Sequence, residues 1–220
     1  MKKYSTIVLV ALLITNVLFS CKKSNDSIPT PPTKDYTVSI KDKSWWGTFT
    51  INGQKAQYYS VHFNADNSLM WSQLSGDYPG KWTLDGKKLV INYTTNIITG
   101  DVSDDGHLVN IDDNYSSYTI NSAELIPNPN IPLHNTVWKG SHFNGSSEQT
   151  LQYSFSPDLK ITLTAGAFPT QVHTYTRSSS GAVIRHSQGG MYPFFGVITS
   201  GSLMKGCIQG SNFPWQAFKQ

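Results

Sequence analysis

The sequence predicts an all-β protein built as two tandem small antiparallel up-and-down barrels, and three observations carry that prediction. Glycine (17) and proline (11), with abundant Thr, Ser, Asn, Tyr and Trp, favour turns and strands over helices. Apolar and polar residues alternate with period two in Gln57 to Phe63, Lys81 to Leu84, Leu89 to Tyr93, Thr150 to Phe155 and Phe213 to Ala217. The chain also repeats itself: an offset of 92 residues aligns Trp46 with Trp138, Phe63 with Phe155, Asp66 with Asp158 and Leu69 with Ile161. Self-similarity on this scale points to duplication before any fold is named.

Each element follows from local chemistry. Asp66-Asn67, Asp85-Gly86, Asp104-Asp105-Gly106, Gly189-Gly190 and Ser200-Gly201 supply turn residues at the short spacing of meander hairpins. The hairpin after Gly100 returns after Gly196 once one residue is skipped. No helical period survives beyond the N-terminal segment, which excludes parallel βαβ folds. Seven or eight short strands per half leave two edges to protect, and closure into a barrel is the common solution. Between the halves, Ile126 to Pro132 carries three prolines in seven residues and reads as a linker. The expected division is a signal peptide over 1–20, a lipidated cysteine and tether over 21–40, barrels over 41–126 and 133–220, and a linker over 127–132.

The N-terminus supplies an address. Lys2 and Lys3 precede an apolar run from Ile7 to Ile14, then Thr15 and Asn16, the pattern of a secretory signal too short to span a bilayer. Leu18-Phe19-Ser20-Cys21 resembles the bacterial lipobox, although Phe19 stands where a small residue is usual. The resemblance implies a membrane partner: acyl chains on Cys21, more than the two signals that stable anchoring needs. Lys22 to Lys34 holds Pro29, Pro31 and Pro32 among polar residues, a stiff extended tether. This leader is similar to those of Bacteroidetes lipoproteins, and Asp26-Ser27-Ile28 resembles the O-glycosylation signal of that phylum. Outer-membrane anchoring is expected. Lys22 and Lys23 occupy places that acidic residues take in surface-export signals, so the periplasmic and cell-surface faces both stay open.

Each half opens with a Trp near a Gly, Trp46-Gly47 and Trp138-Lys139-Gly140, and ends on an aromatic strand. In this it resembles the lipocalin-like and avidin-like small barrels, but lacks the Gly-x-Trp order of true lipocalins. The resemblance implies a barrel holding a small apolar or amphipathic ligand.

Charge and motif exclude several functions. Removing Lys2 and Lys3 leaves 15 basic against 14 acidic residues, so a basic, phosphate-seeking surface is not expected and nucleic acid is not a partner. With Cys21 acylated, Cys207 stands alone and reads as a buried thiol in a strand. Ser202-Leu203-Met204-Lys205 has the spacing of a Ser-x-x-Lys site, but in a strand the two residues face opposite ways. His62, His107, His134, His142, His173 and His186 show no metal-ligand spacing, and Asp101 to Gly106 lacks the ligand pattern of a calcium loop. No cofactor, metal or catalytic residue is expected.

What remains is aromatic. Trp46, Tyr59, Phe63, Trp71 and Trp82 in the first half, and Trp138, Tyr153, Phe155 and Trp215 in the second, stand at alternating positions and are the candidate interior ligand-binding residues. Trp45, beside Trp46, is expected on the outside, and with Tyr78, Tyr192 and Phe194 forms the surface-binding set. The leading reading is a non-enzymatic, lipid-anchored envelope protein binding a small molecule or partner. The alternative is a carbohydrate-binding surface lipoprotein using exposed aromatics. An enzyme would need positioned acid, base or nucleophile groups that no motif announces.

Overall fold

A computed structural model describes residues 34–114, 117–143, 145–166, 169–186, 194–208 and 213–220. Cys21, Ser27 and Tyr192 lie outside these described residues. Asp35 to Gln220 form one compact unit, all-β apart from one short 3₁₀ turn, Tyr36–Ser39.

The first half holds β1 (Lys43–Ile51), β2 (Gln57–Phe63), β3 (Ser68–Gln73), β4 (Gly76–Asp85), β5 (Lys88–Tyr93), β6 (Asn96–Val102), β7 (Leu108–Asp113) and β8 (Tyr118–Ile126). The second holds β9 (Thr136–Phe143), β10 (Glu148–Phe155), β11 (Lys160–Ala165), β12 (Gln171–Arg177), β13 (Val183–His186), β14 (Phe194–Ser200), β15 (Leu203–Ile208) and β16 (Phe213–Lys219). Both are eight-stranded antiparallel meanders in tandem. The second closes as β16 returns to β9; the first is nearly closed, its β7 and β8 meeting at the His107–Glu124 bridge.

The two halves correspond strand for strand, with a slip that the sequence conceals. In β2 and β10 the offset is 92 residues, but in β1 and β9 it is 93. Asp42 and Asn135, both left-handed (φ 54 and 58), open these strands, and their amides donate to the carbonyls of Phe63 and Phe155. The missing residue therefore falls in the loop after β9. The equivalent of Trp138 is Trp45, not Trp46, and a one-residue slip moves every side chain to the other face.

That slip corrects two expectations. Trp45, expected outside, fills the first core with its indole N–H donated to the Ser39 carbonyl, while Trp46, expected inside, points out of the barrel. The conserved feature of both strands is Trp-x-Gly: a Cβ on Gly47 would lie 1.8 Å from the Ser122 carbonyl oxygen, and one on Gly140 1.9 Å from that of Gln216. Only glycine lets β8 and β16 approach so closely.

Trp46 is nevertheless buried. It packs with Ile126, Val183, Phe195, Val197 and Cys207 in a third apolar cluster where the barrels meet. At the edge of that interface Arg185 donates to both Asp77 carboxylate oxygens (2.7 and 2.9 Å) and to the Gln73 and Gly76 carbonyls. Burial acts to raise the Asp77 carboxyl, but hydrogen bonds from Arg185 and Ser72 outweigh it and hold it below the usual range. The prolyl segment is tied down as well: Ile131 is buried, and Arg177 donates to the Pro129 carbonyl at 2.8 Å.

Candidate functional site

The first barrel is filled, and the polar atoms of its buried indoles and of Tyr59 are paired. Tyr59, Trp71 and Tyr93 stack in one column (centroids 4.1 and 4.5 Å apart), with Phe63 and Trp82 edge to face beneath. Every indole there has a partner: Trp71 donates to Gln73 Oε1, and Trp82 to the Asn64 carbonyl. The Tyr59 hydroxyl donates to the Ser122 carbonyl at 2.8 Å, and burial pushes its phenol far up. At this barrel's end Tyr78, half-buried, lines a shallow cleft of about 220 Å³ with Gln73, Tyr93, Asn96 and Tyr118.

The second barrel is filled differently. His173, His186, Phe194 and Trp215 stack face on face across it, centroids 4.7, 4.4 and 4.6 Å apart and planes within 19°. Tyr153 packs edgewise on Phe194 and against Trp215. Gly196 and Gly206 make the room: a Cβ on either would lie within 2.8 Å of the Trp215 ring. Phe194, expected at the surface, is thus core. Among the described residues the surface-binding set retains only half-buried Tyr78.

This interior carries polar atoms without partners. The Tyr153 hydroxyl, the Trp215 indole N–H and both ring nitrogens of His142 and of His186 are buried and find no hydrogen-bond partner among the described residues. Trp138 differs, its indole donating to Thr136 Oγ1 at 2.9 Å. Burial pushes the Tyr153 phenol far up and, with His173 adding to it, the His186 imidazole down to about 3; it lowers His142 too. Both imidazoles are therefore neutral, each offering one donor and one acceptor.

The register of the first barrel shows what changed. Tyr153 occupies the place of Val61, His142 that of Phe49, His186 that of Ile91 and Trp215 that of Ile120. Four positions that are purely apolar in one copy carry hydrogen-bonding atoms in the other. His142, His186 and Trp215 stand toward the end of the barrel where β9, β13 and β15 finish and β12, β14 and β16 begin, and Tyr153, farther along β10 opposite Trp138, meets them through its contacts with Phe194 and Trp215. The chain matches no protein-family model, no curated protein and no solved structure. Its chemistry has to be read from its own residues.

Of the predicted interior residues, Tyr59, Phe63, Trp71, Trp82, Trp138, Tyr153, Phe155 and Trp215 lie in the two cores; Trp46 does not. Sequence reasoning passed over His142 and His186, because scattered histidines give no spacing signal. Counting parity along β9 and β13 from Trp138 and Ile184 would have placed both inside. An open groove of about 470 Å³ crosses the β9–β16 pair, lined by His142 and Trp215 as well as by Tyr58, Glu148, Lys205 and Gln216. Lys205 lies over the Trp46 ring at 4.9 Å, and Ser141 donates to Glu148. Among the described residues no group of three or more His, Cys, Asp or Glu is placed to hold a metal ion.

Proposed function

We propose that the protein is a non-enzymatic binding protein of the bacterial envelope, a Bacteroidetes-type lipoprotein with lipocalin-like barrels, anchored in the outer membrane through an acylated Cys21. The second barrel takes the ligand at its polar end and the first is its scaffold. One observation carries this reading: buried polar groups left unpaired at four positions where the duplicate copy is apolar. Each such group costs about 1–3 kcal/mol in a folded protein, a cost that a ligand with matching groups offsets. The glycan-capture alternative has lost most of its support, since Trp45 and Phe194 are buried.

Two measurements test the reading. Wild type should fractionate with membranes and carry lipid by mass, and Cys21→Ala should abolish both; a wild type that is soluble after cell breakage refutes the anchor. Native mass spectrometry of protein purified from its own cells should show a bound small molecule that is lost in Tyr153→Phe/His186→Phe. A ligand retained in that variant refutes the interior site.

A further inference from the structure

The ring faces in the second barrel are already used. His186 is covered by His173 on one side and Phe194 on the other, and Phe194 by His186 and Trp215. What stays unmatched is at the edges: imidazole nitrogens, the indole N–H and the phenol oxygen, all in or near their ring planes. A ligand here meets ring edges and is read by hydrogen bonds, not by stacking.

The edges also state the charge. Gln171, His173 and His186 face inward from β12 and β13, His142 from β9, Tyr153 from β10 and Trp215 from β16. Among the described residues this end of the lumen has no carboxylate, lysine or arginine turned inward. Glu148 and Lys205 line the open groove that His142 and Trp215 also reach, but they carry opposite charges and are engaged there, Glu148 by the Ser141 hydroxyl and Lys205 over the Trp46 ring, so they supply no net counter-charge; Arg177 is spent on the Gly181 and Pro129 carbonyls. A charged ligand would be stripped of water without a counter-charge, which is prohibitive unless it is paired. Trp215 is a donor only and demands an acceptor; each neutral imidazole has an acceptor nitrogen that demands a donor.

We infer that the ligand of the second barrel is uncharged and presents acceptor and donor atoms side by side, as an amide, a lactam or a vicinal diol does, to the edges of His142, His186 and Trp215 and to the Tyr153 hydroxyl. The inference rests on the proposed interior site. It makes the barrel a receptor for a polar neutral molecule, in place of the apolar or amphipathic cargo that the lipocalin-like resemblance implies.

The test uses the full chain, ¹⁵N-labelled and purified in detergent, with resonances assigned for the Trp215 indole and the His142 and His186 rings. Uridine supplies a lactam, N-acetylglucosamine an amide with neighbouring hydroxyls; palmitate, spermidine and naphthalene supply negative, positive and purely apolar probes. At least one of the first two should shift these side-chain signals saturably, and which one does separates a heterocycle from a sugar. Tyr153→Phe, which should remain folded by its melting curve, should weaken that binding by roughly three- to tenfold, the worth of one hydrogen bond. Replacing the four residues by their first-barrel equivalents, Tyr153→Val, His142→Phe, His186→Ile and Trp215→Ile, should abolish it, read in this variant from saturation transfer to the probe's own resonances. If only palmitate, spermidine or naphthalene shifts the signals, the ligand class is wrong while the binding site stands. If no probe shifts them and the Trp215 N–H shows cross-peaks to water alone, both the class and the site are wrong.

Discussion

Tyr59 and Tyr153 form a matched pair in which the same substitution should act with opposite sign. Both are fully buried tyrosines in barrel cores, but the Tyr59 hydroxyl donates to the Ser122 carbonyl at 2.8 Å and that of Tyr153 meets no described partner. Tyr59→Phe removes a donor from a satisfied pair and should cost about 1 kcal/mol. Tyr153→Phe keeps the ring contacts with Phe194 and Trp215 and deletes only the stranded oxygen. The desolvation penalty of an unpaired hydroxyl, about 1–3 kcal/mol, is then relieved, so the unliganded protein should gain about 1 kcal/mol or more. For a unit of this size each kcal/mol moves the melting temperature by ~2–4 °C. The two variants should therefore melt on opposite sides of wild type.

The assay is thermal and urea unfolding at pH 7.5, followed by near-ultraviolet circular dichroism on protein dialysed free of small molecules. A Tyr153→Phe variant that loses as much as Tyr59→Phe would refute the reasoning, because the hydroxyl would then already be bonded in the empty barrel. With ligand bound the sign at Tyr153 should invert, since the oxygen has acquired its partner. Inversion on ligation is what separates a binding position from a poorly packed one.

Other expectations follow from the same structure. His186 ionises near 3 when folded and near 6.5 when unfolded, so between those values the unfolded chain holds the extra proton. Stability should be full above about pH 6.5 and decline below it, by at most about 1.4 kcal/mol per pH unit for this group, and urea midpoints at pH 7.5, 5.5 and 4.5 should show a shallower slope for His186→Phe. Gly47→Ala and Gly140→Ala should each cost about 3 kcal/mol or more or prevent folding, since the new methyl meets a backbone oxygen; a melting curve near wild type would count against the register. Leu159 sits in the left-handed region (φ 58) and is 56% exposed, at the turn position Asn67 fills in the first copy, so Leu159→Asn should raise stability by about 1 kcal/mol in the same melts. Residues 133–220 expressed alone would bare Phe195, Val197 and Cys207 and should aggregate, whereas the intact chain should unfold in one transition; a soluble, folded fragment would show the interface to be dispensable.

Much of the architecture was legible because it depends on period and punctuation. Alternation over Gln57 to Phe63 and Thr150 to Phe155 marks strands whatever their neighbours do, and Asp66-Asn67 marks a turn by its own backbone preferences. Parity at the first strand was not legible. Trp45 and Trp46 are both apolar and both buried, one in a barrel and one between barrels, so local alternation has no contrast to read. An ungapped repeat then chose the wrong one. The interface itself was hidden for the same reason: Phe195 and Val197 alternate with Phe194, Gly196 and Ile198, giving β14 a nearly continuous apolar run, which is how a strand buried on both faces reads.

The candidate site was the least legible part, and the reason bears on how it arose. A duplicated barrel starts with two equivalent interiors, and either alone can be stabilised by apolar filling. The first copy kept that solution: Phe49, Val61, Ile91 and Ile120 have no polar atom to satisfy, and its buried tyrosine and tryptophans found backbone or side-chain partners. At the same places the second copy holds His142, Tyr153, His186 and Trp215, a choice that lowers stability unless something else is bound. Packing the two barrels through Trp46, Phe195 and the Arg185–Asp77 pair lets the copy that is apolar at these four places support the one that is polar there. A protein that folds as one cooperative unit can keep, in one half, a site that would be too costly for that half alone.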